Sequence, residues 1–87
     1  MKISFTRDGW EDYTSWATER TILKRINRMI EEATRDPATG IGKPERLSHN
    51  LSHNLSGYWS RRITDEHRLV HQLRDEELII VQARYHY

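Results

Sequence analysis

Tyr58-Trp59-Ser60-Arg61-Arg62-Ile63, His67-Arg68-Leu69-Val70-His71-Gln72-Leu73 and Glu77-Leu78-Ile79-Ile80-Val81-Gln82-Ala83-Arg84-Tyr85 are three extended runs, separated by Thr64-Asp65-Glu66 and Arg74-Asp75-Glu76. Branched and aromatic residues fill the runs, and short polar residues fill the gaps. The pattern predicts an antiparallel meander. Side chains alternate along a strand. Leu69, His71 and Leu73 then oppose Arg68, Val70 and Gln72, while Ile79, Val81, Ala83 and Tyr85 oppose Gln82, Arg84 and His86. One sheet face suits a core. The other is expected to present Arg68, Arg84 and His86 in the open.

Helices for that core are legible upstream. Lys2 to Phe5 reads as a short strand with Ile3 and Phe5 on one face. Thr6 is a helix cap, with Asp8 and Glu11 near the positive end of the helix dipole. Trp10, Tyr13 and Ala17, with Trp16 beside them, recur at helical spacing. Thr18 offers a second cap. Ile22, Leu23, Ile26, Met29, Ile30 and Ala33 then make one apolar stripe, closing near Arg35 before Asp36-Pro37. Lys24, Arg25, Arg28, Glu31 and Glu32 read as its solvated face. The stripe of Trp10, Trp16 and Met29 reads as core or as a self-association surface. The expectation is a single α+β domain over residues 1–87 of order β-α-α-β-β-β. Two N-terminal helices pack on one face of an antiparallel sheet.

Size and charge narrow the function classes. The chain has 87 residues, room for one core. It has no cysteine, which excludes disulfide frameworks, thiol nucleophiles and cysteine-ligated zinc. No apolar run approaches the roughly 20 residues of a membrane span, and the first residues are too polar for a secretory signal. A cytoplasmic location is expected. Net charge is only +1, so diffuse attraction to polyanions is weak. Yet arginine supplies eleven of the fourteen basic residues, and its forked donors fit a phosphate bidentately.

Residues 36–57 read as a long connection punctuated by Pro37, Gly40, Gly42, Pro44 and Gly57. It contains a tandem repeat, Leu47-Ser48-His49-Asn50 followed by Leu51-Ser52-His53-Asn54. Two copies make no solenoid, so this is a local duplication in a surface loop. His49 and His53 have a zinc-compatible spacing, but the repeat itself produces it and no third ligand is evident. Asn50-Leu51-Ser52 and Asn54-Leu55-Ser56 match a glycosylation sequon without the secretory context that would give it meaning. His67 is expected to be exposed after its turn, and His71 to be a packed, hydrogen-bonded core residue.

The open sheet face gathers residue types that suit metal-free RNA cleavage. Arg61 and Arg62 leave the first meander strand, Arg68 starts the second, and Arg84 and His86 end the third. Glu45 stands just ahead of the sheet. A carboxylate can take the proton of a ribose 2′-hydroxyl, an imidazole can protonate the departing 5′-oxygen, and a guanidinium can hold the charge on phosphorus. Tyr58, Trp59, Tyr85 and Tyr87 offer rings for base stacking. The competing reading is a face of solvated salt bridges worth about 0–1 kcal/mol each.

Gly42-Lys43-Pro44-Glu45, Leu55-Ser56-Gly57-Tyr58-Trp59-Ser60-Arg61-Arg62-Ile63, Glu66-His67-Arg68-Leu69-Val70 and Ala83-Arg84-Tyr85-His86-Tyr87, with Gly9-Trp10-Glu11-Asp12-Tyr13 upstream, resemble the YoeB toxins, a branch of the RelE-like endoribonucleases. The resemblance covers essentially the whole chain. It implies a toxin of a type II toxin–antitoxin pair that enters the ribosomal A site and cuts the displayed messenger RNA, leaving a 2′,3′-cyclic phosphate and a 5′-hydroxyl. It implies Glu45 as base, Arg68 as phosphate clamp and His86 as acid, with Arg62, Glu66 and Tyr87 as further site residues. No metal or cofactor is implied. The expected partners are a YefM-like antitoxin, the ribosome with its messenger, and a second copy of the chain, with operator DNA reached only through the antitoxin. One Leu-Ser-His-Asn unit is extra to the family pattern. If it shifts the register of Glu45, the chain becomes a binding module that engages antitoxin or ribosome without cutting.

Overall fold

The computed structural model describes residues 1–47 and 57–85. Strand β1 (Lys2–Phe5) leads into helix α1 (Arg7–Thr14) and helix α2 (Arg20–Arg35), followed by strands β2 (Glu45–Arg46), β3 (Tyr58–Arg62), β4 (Arg68–Arg74) and β5 (Glu77–Gln82). They form one five-stranded sheet in the order β1-β5-β4-β3-β2. The meander appears as expected. Two features depart from expectation: β2 is a strand inside the long connection, and the sheet is mixed, because β1 runs parallel to β5.

The parallel pair follows from the crossover. From β1 the chain passes through both helices and the far edge of the sheet before β5 returns beside it. Ile3 then aligns with Leu78 and Phe5 with Ile80, and the Ser4 hydroxyl donates to Glu77 at 2.6 Å. Thr6 caps α1 as its sequence position requires, its Oγ1 accepting from the Gly9 amide at 3.1 Å. Gly9 has to be glycine: a Cβ there would collide with the Ile80 carbonyl oxygen, so α1 lies directly on β5.

Helix α1 stops before Trp16 and Ala17, which the helical spacing had included. The freed Trp16 turns into the core, 2% exposed, and its indole N–H donates to the Ala83 carbonyl at 2.7 Å. Trp10 remains half exposed, with Phe5 and Tyr13 as ring neighbours. The second helix begins after Glu19, not at Thr18, and carries no side-chain cap. Its stability therefore rests on its stripe. Ile26, Met29, Ile30 and Ala33 pack against Ile63, Leu69, Leu78, Ile80 and Ala83, at roughly 1.5–3 kcal/mol for each large side chain fully buried. On β5 the core-facing pair is Leu78 and Ile80, one position out of phase with the expected Ile79 and Val81. An unbroken apolar run has no alternation from which to read its phase.

Candidate functional site

The face of the sheet turned away from the helices is organised by the register of three strands. Arg62 lies opposite Arg68 and Ser60 opposite Val70 across β3 and β4, and Glu45 lies opposite Ser60 across β2 and β3. Alternation puts Glu45, Ser60, Arg62 and Arg68 on that face together. Arg68 Nη1 stands 3.6 Å from Glu45 Oε1 and donates to Ser60 Oγ at 3.3 Å. The Arg68 side chain is 17% exposed and that of Glu45 56%. The cation is thus seated in the sheet while the carboxylate reaches solvent. With its carboxylate largely solvated and a separation of 3.6 Å, the pair itself adds little to the fold. Its main consequence is placement: a carboxylate and a guanidinium held side by side.

Glu45 reaches this position through Arg61. That residue was expected among the phosphate-binding arginines of the open face, and the structure corrects this: Arg61 is 0% exposed and points to the helix side. Neighbouring residues of a strand cannot share a face, so Arg61 and Arg62 are necessarily divided. Its Nη2 donates to the carbonyls of Asp36, Pro37 and Thr39, and its Nη1 to Ile41 O and Glu32 Oε1. The segment between α2 and β2 is wound on this guanidinium. Burial pulls the Arg61 ionisation below its usual value, with Glu32 and Asp36 pulling back. Glu32 is held below the usual carboxylate range by the Ile41 amide, which donates at 2.8 Å, and by Arg28 and Arg61, against the opposing effect of burial. Gly42, at φ +90°, then brings its carbonyl to the Arg62 amide at 2.6 Å and starts the approach of β2 to β3.

The duplicated repeat falls largely outside the described residues, as do His49 and His53. Its two ends are described. The Leu47 amide donates to the Tyr58 carbonyl at 3.0 Å, continuing the ladder from Glu45 and Arg46. The strands on either side of the repeat are therefore paired up to its ends, and Glu45 keeps its place opposite Ser60 and its approach to Arg68.

The remaining candidates separate. Arg62 is half-buried on the open face, and its carbonyl, with that of Ile63, accepts from Arg25 at 3.0 and 2.9 Å. Arg25 is thus a brace between α2 and the end of β3, not part of a solvated face. Glu66 is exposed in the turn between β3 and β4. Arg84 departs from expectation. The chain bends after Gln82, and the Arg84 guanidinium lies over the Trp16 ring at 3.7 Å while its Nε donates to Ser15 Oγ at 2.8 Å. It belongs to the helix layer, not to the face of Arg68. His86 and Tyr87 lie outside the described residues. Their predecessor, Tyr85, is described, and its carbonyl accepts from the Arg68 amide at 3.1 Å. Tyr85 is therefore fastened beside the clamp arginine. Sequence reasoning missed Ser60, which was nevertheless signalled by sharing its strand parity with Arg62.

His67 was expected to be exposed and is instead 9% exposed beneath the C-terminal turn. His71 faces the core as expected and is 0% exposed, yet neither ring nitrogen has a hydrogen-bond partner among the described residues. Burial, and then the charge of Arg61, lower its pKa to about 4. Among the described residues, no helix is long and apolar enough to cross a membrane.

Comparison with known proteins identifies the family and agrees with the fold. Residues 5–87 match the family described as the YoeB-like toxin of bacterial type II toxin–antitoxin systems. The chain is 58% identical to toxin YoeB of Streptomyces coelicolor and 49% identical to toxin YoeB of Escherichia coli K12, in both cases over 100% of each chain. Among solved structures it is similar to the YoeB/ParE toxin from Agrobacterium tumefaciens, with a TM-score of 0.87, 41% identity and 100% of both chains covered. It is also similar to the toxin in the heterotetrameric YoeB–YefM complex from Staphylococcus aureus, with a TM-score of 0.83, 38% identity and 100% and 98% coverage. A match to the family over residues 5–87, full-length identity at this level and a shared fold lead to one conclusion: the chain belongs to the YoeB-like toxins of bacterial type II toxin–antitoxin systems.

Proposed function

We propose that the chain is a ribosome-dependent endoribonuclease that cuts messenger RNA in the A site and so arrests translation. The observation that carries this reading is the 3.6 Å approach of Glu45 to Arg68 on a face that the core does not use. Glu45 accepts the proton of a ribose 2′-hydroxyl. The resulting oxygen attacks the adjacent phosphorus, and Arg68 takes up the negative charge that accumulates on the phosphoryl oxygens. The P–O5′ bond breaks, and His86 gives its proton to the leaving 5′-oxygen. The products are a 2′,3′-cyclic phosphate and a 5′-hydroxyl, and the step needs neither metal nor cofactor. Arg62, Glu66 and Tyr87 hold the substrate or orient these groups.

A net charge of +1 supports the role given to the ribosome. Affinity for free RNA follows the number of phosphates neutralised, and here that number is small. A ribosome-held codon supplies the reactive geometry that the toxin alone cannot impose. The site of action is then the cytoplasm. The natural inhibitor is a YefM-like antitoxin, through which operator DNA is reached, and the toxin self-associates as a homodimer. Solved YoeB–YefM and YoeB dimer structures from Staphylococcus aureus support both assemblies.

Primer extension on translating messages tests the proposal. The expected result is discrete breaks within A-site codons, lost in His86→Ala while antitoxin binding persists. Ribosome stalling without breaks would replace the nuclease by a binding module.

A further inference from the structure

We propose that His67 is a positioning residue of this site, acting by holding the backbone of Tyr85, the residue that precedes His86. The inference rests on the acid role given to His86 above. Tyr85 stands at φ +62°, in the left-handed region, which a bulky side chain occupies only where its surroundings hold it. Three hydrogen bonds do so. The Tyr85 amide donates to His67 Nδ1 at 2.7 Å, and the Tyr85 carbonyl accepts from the Arg68 amide at 3.1 Å and from Gln82 Nε2 at 2.9 Å. The acceptor is the Nδ1 lone pair of His67, which the amide of Tyr85 approaches at 2.7 Å.

Two of those bonds come from consecutive residues. The dipeptide His67-Arg68 therefore sets both the clamp guanidinium and the last described peptide before the acid. The ring of His67 also packs edge-on against Trp16 at 5.0 Å and beside Tyr85 at 5.2 Å. Packing alone would be served as well by phenylalanine. What phenylalanine lacks is the acceptor for an amide that has left the β5 ladder. Without it the Tyr85 peptide is free to turn at the position that leads into the residue given the acid role. Misplacing a reacting group by about 1 Å costs on the order of 100-fold in rate.

Two variants separate the roles of the ring and its nitrogen. His67→Phe keeps the ring and removes the acceptor. His67→Asn removes the ring and keeps an acceptor oxygen near the position of Nδ1. Cleavage on translating ribosomes is measured at limiting and saturating toxin, together with hydrogen exchange of the Tyr85 amide by NMR. His67→Phe is expected to lower kcat by about 10–100-fold with KM unchanged, and to speed exchange at Tyr85. His67→Asn recovers most of kcat despite a lower melting temperature. Cleavage by His67→Phe at the wild-type rate overturns the proposal, as does an Asn variant no better than Phe. A wild-type Tyr85 amide that exchanges without protection overturns it even if His67→Phe does not fold. Failure of the nuclease reading is distinguishable: the wild-type protein itself then cuts nothing, while the amide measurement still decides whether His67 holds Tyr85.

Discussion

Arg61 and Arg62 are adjacent in sequence and lie on opposite faces of β3, and the two faces use charge in opposite ways. On the helix side, Arg61 is sealed from water and its Nη donors go to four backbone carbonyls and Glu32. Its charge organises the chain between α2 and β2. On the far side, Arg68 and Glu45 approach each other with solvent access and contribute little to stability. A buried cation stabilises through every partner it satisfies, and is costly if any one is removed. On the far face the cation is seated beside a carboxylate that reaches solvent. The same side-chain chemistry becomes scaffold or site according to strand parity.

The largest expected effect breaks that contrast most directly. Arg61→Met should lower stability by about 3–5 kcal/mol, because it strands Glu32 and a set of buried carbonyls. Chemical denaturation measures it. Arg68→Ala should change stability by no more than about 1 kcal/mol while lowering cleavage by about 10²–10³. If Arg61→Met melted like the parent protein, or if Arg68→Ala unfolded, the division between the two faces would not hold.

A second effect sharpens the helix-side half of the comparison. His71 is buried beside that scaffold with its pKa lowered to about 4, whereas an unfolded histidine titrates near 6.5. Between those values the unfolded chain binds a proton that the native chain refuses. Stability from this group is therefore complete above about pH 6.5 and is lost as pH falls toward 4, by about 3 kcal/mol in all. Urea melts across that window should show the loss, and His71→Leu should remove most of it. A flat profile in the parent protein would mean that His71 is solvated in the native state.

Legibility followed the locality of each signal. The stripe from Ile22 to Ala33, the Thr6 cap and the three meander runs are written in neighbouring residues, and the structure contains them within a residue or two, except that β5 ends three residues before Tyr85. The parallel docking of β1 on β5, the two-residue β2 and the inward turn of Trp16 depend on partners far along the chain, which no local period encodes. Arg61 was misplaced although alternation forbids it to share a face with Arg62. Arg84 was misplaced because the β4–β5 register shifts at Val70/His71 and the chain bends after Gln82, so parity counted along the sequence no longer reports side-chain direction. His67 follows a turn, as read, but Tyr85, distant in sequence, packs over its ring and binds its Nδ1. Of the candidate site, the pairing of Glu45 with Arg68 was implied by family resemblance. The strap on Arg61 that brings Glu45 there was not.

The smallest expected effect concerns the repeat that separates β2 from β3. Deleting residues 51–54 shortens the connection between Leu47 and Tyr58 but touches neither end of the ladder, where the Leu47 amide meets the Tyr58 carbonyl. Loop-closure entropy varies only with the logarithm of length, so the shorter chain should gain about 0.5 kcal/mol. Glu45 is fixed from the other direction, through Gly42 and the Arg61 strap, so its distance to Arg68 should be unaltered and cleavage should stay within about threefold of the parent rate. A deletion variant that cuts tenfold faster or slower would show that the repeat acts on the site itself. The accessible face would then depend on this connection as well as on the scaffold beneath it.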